Sequence, residues 1–113
     1  MGIKNYTINS KGEIDVEGSV DLAKRDFKEL PYKFGKVTGH FSLESCENLI
    51  SLQNCPNYVK GYFSCNYNKK LKSLEGCPNT VLLSFWCKGC GKCFNEKYIK
   101  LMCPNIGGLI FNK

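Results

Sequence analysis

Residues 59–81 read VKGYFSCNYNKKLKSLEGCPNTV, and they contain one full period of a chain that repeats. The opening VKGYFSC (from Val59) has ungapped counterparts in VEGSVDL (from Val16), VTGHFSL (from Val37) and VLLSFWC (from Val81). Their starts lie 21, 22 and 22 residues apart. A fifth, imperfect copy is IGGLIFN from Ile106. Between copies runs a second shared pattern, an apolar pair three residues apart: Phe27/Leu30, Leu49/Leu52 and Leu71/Leu74. The next Val follows seven residues after each pair, and CPN recurs from Cys55, Cys77 and Cys103.

The first copy shows what the period builds. In EIDVEGSVDL the positions Ile14, Val16, Gly18, Val20 and Leu22 are apolar or Gly, and those between them are polar. A period of two is that of a strand with one buried face. The same alternation turns inward Val37, Gly39, Phe41 and Leu43, then Val59, Gly61, Phe63 and Cys65, then Val81, Leu83, Phe85 and Cys87. No repeat carries a helical period long enough for an independent helix. A unit of about 22 residues cannot bury a core alone, but stacked units can, by aligning their strands in parallel.

These residues predict a mainly β chain. It is a short solenoid with a parallel sheet of about five strands and an N-terminal β-hairpin cap. Residues 1–113 form a single domain, with 1–15 as cap and 16–113 as repeats, interrupted by an insertion near 88–97. The cap reads as strand (GIKNYTIN), tight turn (SKG) and strand (EIDVEG).

The chain resembles the leucine-rich-repeat family in its strand-and-turn signature, L-x-L-x-x-(N or C)-x-L. The likeness is carried by VDLAKRDF, FSLESCENL, FSCNYNKKL and FWCKGC. Cys46, Asn68 and Cys90 fall where that family places Asn or Cys, which implies side chains bonded to backbone inside the turn. Arg25 takes that position in the first copy, and the fourth copy has about five inserted residues around GKCFNEK. The ~22-residue dialect is similar to short repeat proteins encoded in tailed-phage genomes. That likeness implies a small cytoplasmic protein of a bacterial host, acting as an inhibitor of a host enzyme or defence complex (anti-CRISPR-like or otherwise anti-defence).

Eight cysteines in 113 residues make the chain cysteine-rich. No apolar segment reads as a secretory leader or membrane span, so reduced thiols are expected rather than disulfides. The spacing of Cys87, Cys90 and Cys93, with Cys103 beyond, permits a zinc site and a zinc-stabilised adaptor. The repeat explains most of these cysteines otherwise. Cys87 is an inward strand position, Cys90 a turn position and Cys103 one of the CPN series. Only Cys93 lacks a repeat role, so no cofactor is expected. A Cys90–Cys93 or Cys93–Cys103 disulfide is the other reading of the cluster.

No catalytic residues are expected, and the chain reads as a non-enzyme. His40 is the one histidine, at an outward strand position. Glu13, Asp15 and Glu17 share a strand face and read as a solvated surface. Outward residues at equivalent positions form columns across the sheet. One runs Ser19, His40, Tyr62, Ser84, Leu109; its neighbour runs Asp21, Ser42, Ser64, Trp86, Phe111. The expected partner-binding set is His40, Lys60, Tyr62, Asn66, Trp86 and Lys88, anchored by an exposed Trp86. The net charge of +6 is lopsided. Residues 1–56 hold seven Lys and Arg against eight Asp and Glu, whereas residues 57–113 hold nine Lys against two Glu. A protein partner is the first expectation, and nucleic acid bound by the basic half is the alternative. The last repeat has no polar cap, which adds a homodimer through the C-terminal end. No membrane association is expected.

Overall fold

The computed structural model describes residue 3 and residues 5–113. Met1 lies outside the described residues, as do Gly2 and Lys4 of the first expected strand. The chain opens on an antiparallel hairpin of β1 (Tyr6–Ile8) and β2 (Ile14–Val16), joined by a turn in which Asn9 Oδ1 accepts from the N–H of Lys11 and Glu13. There follow β3 (Val20–Asp21), β4 (Phe34–Val37), β5 (Phe41–Ser42), β6 (Tyr58–Val59), β7 (Phe63–Ser64), β8 (Thr80–Val81) and β9 (Phe85–Trp86). The chain ends with α1 (Glu96–Met102), β10 (Asn105–Ile106) and β11 (Ile110–Phe111). It is a short β-solenoid, as the repeat predicts.

Each coil contributes two short strands rather than one long strand. The first sheet runs β1-β2-β4-β6-β8-β10 and the second β11-β9-β7-β5-β3. All pairings except β1–β2 are parallel. The one strand expected per coil, such as that over residues 37–43, is thus divided between the two sheets, each of which runs parallel through five strands. The corner between the sheets falls on the V-x-G step. A Cβ on Gly61 would land on His40 Nδ1 and 2.7 Å from the Gly39 carbonyl oxygen, so the corner stacks closely only without a side chain. Leu83 occupies this corner in the fourth coil. Expected inward from the period of two, it is instead 51% exposed.

Stacking in register puts like on like. Phe41, Phe63 and Phe85 are fully buried, with ring centroids 6.2 and 5.2 Å apart along the column. Leu43, Cys65 and Cys87 line the same core, and Leu49/Leu52 and Leu71/Leu74 close it from the arch side. The turn after each of the second-sheet strands β3, β5, β7 and β9 uses a left-handed residue: Lys24, Ser45, Tyr67 and Gly89, with φ of 62°, 56°, 62° and 63°. The residue after Ser45, Tyr67 and Gly89 turns inward. Asn68 is buried, its Nδ2 donates to the carbonyls of Leu43 (3.0 Å) and Cys65 (2.8 Å), and its Oδ1 accepts from Cys46 N (2.7 Å). Cys46 Sγ donates to Leu22 O and Cys90 Sγ to Cys65 O, both at 3.2 Å, so the three Asn/Cys positions do the same work.

The insertion holds the one helix among the described residues, which the repeat pattern did not lead us to expect. Asn95 caps α1 by accepting from Tyr98 N at 2.8 Å, and Glu96 pairs with Lys100 at 3.0 Å. Seven residues are too few for a stable isolated helix. Docking supplies the rest: Ile99 and Phe94 are buried, and Tyr98 Oη accepts from Leu74 N at 3.0 Å. The departure from the repeat thus runs on to Met102, past the expected limit of 97.

Asn68→Ala leaves Cys46 N and Leu43 O without partners, at about 1–3 kcal/mol each, while Cys65 O keeps its bond from Cys90 Sγ. Denaturant unfolding is expected to show a loss of about 2 kcal/mol or more. The exposed neighbour substitution Lys69→Ala is expected to stay within about 0.5 kcal/mol.

Candidate binding face

The outer face of the second sheet carries the residues that the sequence singles out. Its register sets Asp21, Ser42, Ser64, Trp86 and Phe111 side by side across five strands. Trp86 stacks on Phe111 with centroids 3.8 Å apart and planes 14° from parallel. Lys88 Nζ lies 5.7 Å from the Trp86 ring centre, within cation–π range.

The adjacent column is held by bonds from side chain to the next coil's backbone. Ser19 Oγ accepts from His40 N, and His40 Nδ1 accepts from Tyr62 N, both at 2.9 Å. That acceptor role keeps Nδ1 unprotonated, so any imidazole proton sits on Nε2. The His40 and Tyr62 rings lie 4.0 Å apart and 16° from parallel. In the Trp86 column, Ser64 is fully buried and its Oγ donates to Glu44 Oε1 at 2.8 Å.

The structure therefore brings His40 to Tyr62 and Trp86 to Lys88 on one face. It corrects three expectations. Asn66 is not on offer to a partner, because it is 5% exposed and its Oδ1 accepts from Lys88 N at 2.7 Å. Lys60 is exposed but sits at the corner between the sheets rather than on the face. Trp86 is half-buried under Phe111, and the more exposed aromatics are Tyr6, Tyr32 and Tyr67.

Sequence reasoning missed a groove at the hairpin end, lined by Ile3, Tyr6, Ile8, Ile14, Pro31 and Tyr32. Its signal was legible in YTI. Tyr6 and Ile8 alternate around Thr7 and so share a face, opposite Val16 and Ile14. The paired carboxylates nearby are tied into structure. Asn9 Nδ2 donates to both Glu13 Oε1 and Asp15 Oδ1 at 3.2 Å, and Asp15 Oδ1 also accepts from Lys36 N at 2.8 Å.

All eight cysteines are free. Cys87 and Cys103 are buried in the core, Cys90 is committed to the Cys65 carbonyl, and Cys93 is exposed. Among the described residues no three His, Cys, Asp or Glu side chains gather where they could hold a metal ion. Burial pushes the Cys77 and Cys87 thiols up to about 12 and Cys103 up to about 11. Contact between Cys65 and Cys90 raises the first, which is also buried, and lowers the second. No helix among the described residues is long and apolar enough to cross a membrane. No family model, curated protein or solved structure matches the chain.

Two solution measurements follow from the thiols. With an aromatic disulfide reagent near neutral pH, Cys93 is expected to react at once and the buried thiols only as the fold opens. Simultaneous fast reaction of several thiols would contradict this packing. Below about pH 7.5 the raised thiols Cys77, Cys87 and Cys103 are protonated in the folded and the unfolded chain alike, so their ionisation does not affect stability there. Above that the unfolded chain loses thiol protons first. Stability then falls by up to about 1.4 kcal/mol per pH unit for each buried thiol, until the folded thiol ionises too. Cys87→Ala should make the decline shallower in alkaline denaturation profiles.

Proposed function

We propose that this chain is a non-enzymatic protein-interaction module whose partner sits on the outer face of the β3–β11 sheet. One observation carries the reading: two face-to-face aromatic pairs, His40/Tyr62 and Trp86/Phe111, stand half-buried on that face. Backbone bonds between coils hold the first pair, and sheet register holds the second. Rings already fixed lose little freedom when a partner covers them, and Trp and Tyr are the residue types that anchor protein interfaces. A module of this kind needs no titrating pair, and His40, Glu13 and Asp15 are each engaged in hydrogen bonds of the fold.

The excess of Lys in residues 57–113 supports a second reading, nucleic-acid binding. Asp21 and Glu44 weigh against it, because they place negative charge along the same face. The finer proposal, that the partner is a host enzyme or defence complex, rests on the likeness to phage-encoded repeats and on the small size of the chain.

Capture from a bacterial lysate by immobilised wild type and Trp86→Ala tests the reading. The wild type is expected to retain a protein whose affinity falls ~30-fold or more in the variant. That binding should weaken only modestly as salt rises. Identical retention by both chains contradicts the proposal. Retention of nucleic acid with a steep salt dependence favours the second reading instead.

A further inference from the structure

We propose that Ser84 marks the seat of a partner's aromatic side chain, on a segment whose neighbouring carboxylate meets Lys88. This rests on the reading of the β3–β11 face as the partner surface.

The first aromatic column is interrupted. His40 covers one face of the Tyr62 ring at 4.0 Å. On the other side the next coil presents Ser84, whose side chain is too short to cover a ring, and the coil after that presents Leu109, 66% exposed. Successive rungs are one strand spacing apart, so Tyr62 and Leu109 are separated by two spacings, about 9.5 Å. A ring midway between them lies about 4.7 Å from each rung, within aromatic stacking distance. Two residues along the coil, Trp86 begins the second stack and is fixed there by Phe111 at 3.8 Å. A ring over Ser84 would continue the His40–Tyr62 stack and take Leu109 out of water.

Charge argues for what flanks the ring. Lys88 Nζ, 5.7 Å from the Trp86 ring centre, sets a cation on that side of the seat. An aromatic residue with acidic neighbours matches that arrangement. A nucleic-acid strand would need a continuous basic track and repeated stacking platforms. Here there is one seat, with Asp21 and Glu44 on the same face.

The probe is a capped pentapeptide, Asp-Glu-Phe-Glu-Asp, titrated by NMR beside its Leu counterpart and an octathymidylate. Expected are shifts centred on Tyr62, Ser84, Trp86 and Leu109, with the Phe peptide bound roughly three- to tenfold more tightly than the Leu peptide. Ser84→Ala keeps the seat and should bind like wild type. Ser84→Phe fills it with the chain's own ring and should lose binding without losing thermal stability. Leu109→Asp, at an exposed position, should weaken binding at least about threefold and serves if Ser84→Phe folds poorly. Equal affinity for the two peptides, shifts centred elsewhere, or undiminished binding by both Ser84→Phe and Leu109→Asp overturns the seat. So does tighter binding of octathymidylate over Ser84. If Trp86→Ala abolishes lysate capture while Ser84→Phe leaves it intact, the seat is wrong and the face remains the partner surface.

Discussion

Backbone pairing between neighbouring coils is the constraint on which the structure depends. No coil closes a core by itself, and each strand is only two to four residues long. What holds them is the transfer of hydrogen bonds to the next coil, seen in Phe41 N to Tyr62 O, Phe63 N to Ser84 O and Phe85 N to Leu109 O, at 2.9–3.0 Å. Once that register is set, position i must lie beside position i+21 or i+22, or i+25 where the insertion intervenes. Sequence identity at that spacing becomes spatial contact. The Phe column, the Asn/Cys turn position and the left-handed turn residues are all consequences.

The surface inherits the same rule. Stacked rings arise wherever two successive coils carry an aromatic residue in one column, which happens at His40/Tyr62 and again, one column over, at Trp86/Phe111. The face is rigid because its side chains are part of the ladder: Ser19 and His40 each accept a backbone N–H from the following coil. A surface organised in advance of its partner loses little entropy on binding. The charge gradient has the same origin, since acidic residues lie in the early coils and lysines in the later ones.

The columns were legible in the sequence because an ungapped repeat of nearly constant length dictates which residues meet in neighbouring coils. The turn roles of Cys46, Asn68 and Cys90 were implied by the resemblance of these turns to the leucine-rich-repeat signature, whereas the repeat itself explained Cys87 and Cys103 as core residues. Direction at the corner was not legible. Gly39 and Gly61 satisfy a period of two whether the chain runs straight or bends, and the bend became visible only in Leu83, which faces solvent. Asn66 misled because alternation gives the side a residue faces, not whether the next coil's backbone claims its side chain. The helix escaped because seven residues hold too little periodicity, although Asn95 followed by Glu96 is a capping signal. Trp86 was correctly placed in its column, but the cover that Phe111 gives it follows from a pairing across the insertion.

Native-state hydrogen exchange tests the stacked-coil architecture most directly. The architecture predicts that the slowest amides recur with the repeat, at Phe41, Phe63 and Phe85 and at their neighbours Leu43, Cys65 and Cys87. All of these donate to the following coil. Exchange should be faster in the hairpin strand β1, which has a partner on one side only. Protection without that period, or greatest in Tyr6–Ile8, would contradict it.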